Sequence, residues 1–432
     1  MKTYNRRHFL KSMVAAGLAY GITAPRLSLA ANRKIVVVGG GTGGATVAKY
    51  LRLLDSSLDV TLIERNPTYT TCYMSNEVLS GDRSLQSLQF NYDGLRAHGV
   101  KVVHEEVTQI DPVGQLVHTK NGSNYAYDRC VVSPGIGFRY DTIDGYDESL
   151  IDSIPHAWKA GPQTSILRNQ LHAMENGGTV VIAAPPNPYR CPPAPYERAS
   201  QIALYLKRHK PRSKVIILDP KVSFAKKALF EEAWTKLYGY GTDNALLEWV
   251  SGSDEAGVVA VDASTKTAIT EFDDSFASQV LNIIPAQQAG PIAFSADLTD
   301  STGWCPVNRQ SFESTRHKNI HVIGDACQAS SLPKSGFAAN SEAKACAAAI
   351  VASLNDKELP NPTFANGCYS VVGEDYAISI VGVYRLSDDG KSIDSIAGSG
   401  GTSPLPASDE EHLLDAKYAY GWYNNFTQDV FF

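Results

Sequence analysis

Seven cysteines, at positions 72, 130, 191, 305, 327, 346 and 368, are the residues of this chain best suited to moving electrons. None opens a CxxCH segment, so the chain carries no c-type haem of its own, and no CxxC or Cys/His spacing suits zinc, so no metal site is expected. An odd number in an oxidising compartment leaves at least one thiol unpaired or chemically occupied. Cys191 stands in a proline-rich turn at the start of a helical pattern, where the helix dipole lowers a thiol pKa and favours thiolate as a leaving group. Cys368 lies in Asn366-Gly367-Cys368-Tyr369, read as a turn near the C-terminus. These two are candidates for a redox disulfide, but seven cysteines allow many pairings and spacing alone does not choose among them. Cys72 sits in the middle of a loop rich in Thr, Tyr and Asn over 66–76. Cys130, Cys305, Cys327 and Cys346 occur among apolar or small residues and read as core.

The elements that must position these sulfurs begin with residues 34–64, KIVVVGGGTGGATVAKYLRLLDSSLDVTLIE. A β-branched run over 35–38 breaks on glycines, a helical pattern follows over 45–54, and a second apolar run over 60–63 ends on an acid. This is a βαβ unit with the dinucleotide fingerprint: Gly39 for the tight turn, Gly41 for backbone approach to a pyrophosphate, Gly44 for close helix packing. The helix N-terminus offers N–H groups to the diphosphate, and Glu64 stands where an acid holds an adenosine ribose hydroxyl. A buried strand over 319–325 ends in Gly324-Asp325 and precedes a small-residue helix over 336–351. That is the second half of an FAD site. Asp325 would accept from a ribitol hydroxyl, the helix N-terminus would face the flavin N1/C2=O edge, and Lys334 would add positive charge there.

A second Rossmann-like unit starts with a strand over 180–184 and a helix over 196–207. Its turn is Pro185-Pro186-Asn187-Pro188-Tyr189-Arg190-Cys191-Pro192-Pro193-Ala194-Pro195. Prolines supply no N–H groups, and Tyr189 and Arg190 are bulky, so a pyrophosphate is kept from the backbone and NAD(P)H is not the expected electron donor. The predicted architecture is α/β: two Rossmann-like domains of the glutathione-reductase-like kind and a C-terminal α+β interface domain. The FAD domain is expected over 31–150 and 285–355, the second over 151–284, and the last over 356–432. The aromatic tail over 418–432 shows no long amphipathic helix.

A length of 432 residues implies two or three domains, and a net charge of −6 without a basic block argues against a nucleic-acid partner. Residues 1–30 read as an export leader: Asn5-Arg6-Arg7-His8-Phe9-Leu10-Lys11, a short apolar run, then small residues through Ala30. The leader resembles the twin-arginine type, which implies a periplasmic enzyme exported already folded around its cofactor. No later segment reads as a transmembrane helix.

The segments TYTTCYMSNEVLSG, IPHAWKAGPQT, YRCPPAPYERASQ, WCPVN and IGDAC closely resemble those of flavocytochrome c sulfide dehydrogenase flavoprotein subunits, within the two-dinucleotide-binding flavoprotein superfamily. The likeness runs from the leader to the C-terminus. It implies FAD bound covalently through an 8α-S-cysteinyl link at Cys72, Cys191 and Cys368 as the active disulfide, hydrosulfide as substrate and a dihaem cytochrome c subunit as partner in a heterodimer. On that reading hydrosulfide attacks the disulfide, Cys368 is the favoured thiolate, Glu197 is a candidate proton carrier, and Trp422 is a candidate to pack by the flavin or the disulfide. Two rivals stand beside it. One is a membrane-associated sulfide:quinone oxidoreductase, which shares the fold and the cysteine chemistry; the other is a non-catalytic flavin electron-transfer subunit, which would tolerate loss of Cys191 or Cys368.

Overall fold

In a parallel sheet covered on both faces, strands read as unbroken apolar runs rather than alternating ones. That is the character of Lys34–Val38, whose last four residues are buried. The computed structural model, which describes residues 33–254 and 256–432, places this strand at the centre of a five-stranded sheet. Asp59–Ile63 lies parallel on one side, in register from Lys34 with Asp59 to Val38 with Ile63, and Arg129–Val132 on the other. Lys101–Val103 and Ile320–Val322 form the edges. The last of these comes from far downstream, so the sheet is built from two separated stretches of chain. The leader expected over residues 1–30 lies outside the described residues.

A second parallel sheet has the order Leu247–Val250, Lys214–Leu218, Thr179–Ala183, Val280–Ile283. The two chain passes between the sheets, Ile136–Arg139 and Ala286–Ala289, pair antiparallel. Residues from both sheets and from the C-terminal region share one continuous buried core.

The C-terminal region is a long antiparallel hairpin, Thr363–Gly373 with Tyr376–Leu386, followed by a helix of 23 residues, Asp409–Phe431. Two expectations are corrected here. Cys368 is not in a turn but in mid-strand, opposite Ile380. Asn366-Gly367 suggests a turn locally, yet the cross-strand pairing runs straight through it. The aromatic tail is a long helix, started by a capping box in which Ser408 and Glu411 satisfy each other's backbone N–H groups. Its buried residues include Ala416, Ala419, Tyr423, Phe426, Val430 and Phe431, spaced for one face. Mixed Tyr, Asn and Gly between them weaken that periodicity in the bare sequence. Near its end Asp429 accepts from Tyr50 and Asn340, at 2.7 and 2.8 Å, and pairs with Lys344. Those bonds fasten the helix to Thr42–Leu54 and Gly336–Leu354.

Candidate active site

The glycine turn after Lys34–Val38 leaves no choice of residue at two positions. Gly39 has φ of 95°, and a Cβ on Gly44 would stand 1.8 Å from the Gly39 carbonyl oxygen. Gly41 is the N-cap of Thr42–Leu54 and offers no side-chain cap, so the first N–H groups of that helix remain for a ligand. Glu64 closes the turn: one carboxylate oxygen accepts from Gly40 N at 2.8 Å, the other from the Asn66 backbone and amide, both at 2.9 Å. Across from it, after Ile320–Val322, Gly324 N donates to Glu342 Oε2 at 2.6 Å. Asp325 Oδ1 is buried with no partner among the described residues. A glycine cradle beside a helix N-terminus and an orphaned carboxylate oxygen fit an FAD pyrophosphate and ribitol. Lys334 serves this turn differently from expectation: its ammonium donates to the Asp325 and Cys327 carbonyls at 2.7 and 2.8 Å and lies 3.9 Å from the Trp304 ring centroid.

The corresponding turn of the second sheet is filled by its own side chains. Tyr189 is buried and its hydroxyl donates to Pro192 O at 2.6 Å, while Lys221 donates to Pro185 O and caps the Tyr189 ring. Arg190 donates through its backbone to Gln287 and through its guanidinium to Trp158 O. Cys191 has φ of 58° and donates to the Lys334 carbonyl at 2.7 Å, which ties this turn to the loop before Gly336–Leu354.

Cys191 and Cys368, both thiols and both partly exposed, are neighbours that act directly on each other's acidity. The Cys191 thiol, then the Lys226 ammonium and the Ser370 hydroxyl, outweigh burial and bring Cys368 down to about 6. Cys191 goes the other way, driven up by Cys368 first, then by burial and by the charge of Glu197. The expected effect of a helix dipole on Cys191 is therefore corrected. The helix begins only at Ala194, and a terminal half-charge that fades within one turn loses to the Cys368 thiol and to burial.

Glu197 is buried behind the pair. Its carboxyl accepts from Asn76 Nδ2 at 3.2 Å and is pushed up to about 8, by burial and then by Cys368, with Asn76, Lys226 and Ser370 opposing. Cys72 is half-buried, and its thiol acts electrostatically on Arg190 and Cys191, so these groups share one neighbourhood. Trp422 is stacked on Phe337 and Phe426 and edge-on to Tyr73, with its indole N–H buried and without a partner among the described residues. Cys130, Cys305, Cys327 and Cys346 are buried and burial raises all four. Sequence reasoning missed Asn76, Lys226 and Ser370. Ser370 was findable, since it shares a strand face with Cys368 two residues away; Lys226 carried no local signal. Among the described residues no group of side chains is arranged to hold a metal, and no helix is long and apolar enough to cross a membrane.

The class of protein follows from the first sheet and its cradle: residues 33–162 match the pyridine nucleotide-disulphide oxidoreductases. The rest of the chain narrows this. Residues 164–285 match the central region of the sulfide dehydrogenase (flavocytochrome c) flavoprotein chain, residues 360–431 match the flavin-binding region of flavocytochrome c sulphide dehydrogenase, and the chain belongs to that family. It is 56% identical over 46 residues to the sulfide dehydrogenase flavoprotein chain of Chlorobaculum thiosulfatiphilum, a match covering 11% of this chain and 96% of that sequence. Over 71% of this chain and 67% of the relative it is 23% identical to the mitochondrial sulfide:quinone oxidoreductase of Dictyostelium discoideum. The sulfide:quinone oxidoreductase of Aquifex aeolicus has the same fold, with a TM-score of 0.68 at 20% identity over 92% of each chain.

Proposed function

We propose that this flavin-dependent, sulfide-oxidising oxidoreductase works through a redox disulfide between Cys191 and Cys368 and passes its electrons to a dihaem cytochrome c subunit. The observation that carries the reading is that the two thiols act directly on each other, with opposite displacement of their acidities, beside the buried Glu197. Hydrosulfide attacks the Cys191 sulfur of the oxidised pair; the Cys191–Cys368 bond breaks, a Cys191 persulfide forms, and Cys368 leaves with the electron pair as thiolate. Exchange is fastest when the departing thiolate is the more stable one, which here is Cys368. A second hydrosulfide attacks the outer sulfur of the persulfide, releasing a disulfane and leaving Cys191 as thiolate; longer polysulfides follow from repeated attack. Glu197, pushed up to about 8, takes and returns protons at the pair, while Asn76 orients it. FAD, held by the Gly39–Gly44 turn, Glu64 and Asp325, supplies a two-electron acceptor that can donate electrons singly.

Cys72 is proposed as the covalent attachment point, through an 8α-S-cysteinyl bond. Its partly exposed thiol beside Arg190 and Cys191 supports this. Acid-precipitated protein then stays yellow, and the flavin peptide maps to Cys72. A periplasmic location by the twin-arginine route is proposed from the Arg6-Arg7 leader; replacing that pair by lysines should leave the protein in the cytoplasm. A quinone acceptor is the second reading, favoured by the 23-residue C-terminal helix and by the likeness to sulfide:quinone oxidoreductases. Reduction of added cytochrome c, with decylubiquinone inert, supports the first reading; the reverse result supports the second.

A further inference from the structure

Lys226 is a buried lysine with an unusual place in the chain. It sits in the left-handed region, φ of 65°, as the N-cap of Lys227–Tyr238, and its carbonyl accepts from Phe230 N. That backbone turns the side chain into the C-terminal hairpin, where Nζ donates to Ser370 Oγ at 2.8 Å and to the Cys368 and Ile378 carbonyls, both at 3.2 Å. Ser370 and Ile378 are a cross-strand pair, so the ammonium bridges the two strands beside the sulfur. All three acceptors are neutral. They satisfy its N–H groups but not its charge, and a buried cation is tolerated only with an anion close by.

We propose that Lys226 is a positioning residue that holds the Cys368 sulfur as the leaving thiolate and so directs hydrosulfide to Cys191. The inference rests on the sulfur-pair chemistry proposed above and adds the cause of its direction. The titratable groups facing Cys368 are Cys191 from the proline turn, Glu197 from the helix behind it and Lys226 from the loop ahead of the next helix. Glu197 opposes a thiolate at Cys368, and Cys191 offers a proton that either sulfur can hold. Lys226 is the cation that acts on Cys368, while Arg190 and Arg198 act on Cys191. In the exchange step the S–S electron pair goes to one sulfur and the new S–S bond forms at the other. Lys226 selects Cys368 for the electron pair, which leaves Cys191 for the persulfide.

The test uses the holoenzyme, reduced under anaerobic conditions and pulsed with iodoacetamide across a pH series, with alkylation of Cys368 and Cys191 read separately by peptide mass spectrometry. In the wild type Cys368 should react with a midpoint near the about 6 set by its surroundings, well before Cys191. Lys226→Met should move that midpoint upwards by about one to three pH units, and Lys226→Arg should keep most of the wild-type value. Flavin content and far-UV circular dichroism select variants that have folded. An unchanged midpoint in Lys226→Met overturns the proposal, as does an equal displacement in Lys226→Met and Lys226→Arg, since the charge would then not be the cause. One equivalent of sulfide added to the oxidised wild type should place the extra sulfur on Cys191, and finding it on Cys368 also overturns the proposal. Failure of the underlying reading looks different: sulfide would then leave the wild-type flavin unbleached whatever the alkylation midpoints were.

Discussion

Two turns in this molecule occupy the same place in the same kind of sheet and do opposite things. The turn after Lys34–Val38 is emptied of side chains, so that backbone N–H groups and a helix end face a ligand. The turn after Thr179–Ala183 is packed with Tyr189, Arg190 and six prolines between 185 and 195, and it presents a sulfur instead. A Rossmann-like unit thus supplies a position, the carboxyl end of its first strand, rather than a ligand preference. Glycine at that position invites a pyrophosphate; proline and tyrosine exclude one and free the site for thiol chemistry.

The sharpest way to break the comparison is to remove the sulfur that the second turn faces. Cys368→Ser should lower the rate of sulfide-dependent flavin bleaching, followed anaerobically by stopped flow, about a thousandfold or more while leaving flavin content unchanged. A variant that bleaches at the normal rate would instead mark a flavin subunit that only relays electrons. Gly44→Ala attacks the first turn. Its new Cβ would meet the Gly39 carbonyl 1.8 Å away, so helix and turn must part, at about 1–3 kcal/mol, and the flavin-to-protein absorbance ratio should fall.

How much of this could be read from the chain differs between the two turns. The geometry of the first was legible locally, because Gly39 and Gly44 answer steric demands within the turn itself and Glu64 directly follows the next strand. The filling of the second was legible from Pro185 to Pro195, since missing N–H groups and bulk are properties of the residues themselves. What stayed hidden depends on long-range packing. Cys368 looked like part of a turn until its strand paired with Tyr376–Leu386, and Lys226 acquires meaning only where its side chain enters that hairpin. The displacement of Cys191 was misjudged for the same reason: a local dipole was visible in the sequence, while burial and the neighbouring Glu197 were not.

Glu197→Gln is the next and smaller test. A proton carrier contributes about 10²–10⁴-fold, so turnover with sulfide should drop within that range and the pH dependence centred near 8 should disappear. Stability supplies an independent readout with a definite sign. The carboxyl ionises near its ordinary 4.5 when unfolded but only near about 8 when folded, so the folded state binds the extra proton between those values. Its contribution to stability is complete below pH 4.5 and is lost as pH rises through 8. The glutamine variant, which cannot ionise, should therefore gain stability relative to wild type as pH rises from 5 to 9, measured by urea unfolding at each pH.

The smallest effect is expected at Trp422, and it concerns whether the first turn's ligand reaches as far as the C-terminal helix. The indole ring lies 6.1 Å from Phe337, nearly parallel, and its N–H is buried without a partner among the described residues. An unpartnered buried donor costs about 1–3 kcal/mol, and Trp422→Phe removes that donor while leaving a smaller ring in the stack. The loss of packing volume, about 1–3 kcal/mol, roughly offsets the gain, so Tm should stay within about 3 °C of wild type. Flavin content and the sulfide bleaching rate should stay within about twofold, because the ring packs on the aromatic rings of Tyr73, Phe337, Tyr369 and Phe426. If flavin is lost from Trp422→Phe while Tm is unchanged, the indole N–H has the cofactor as its partner, and the cradle extends from the glycine turn across to Asp409–Phe431.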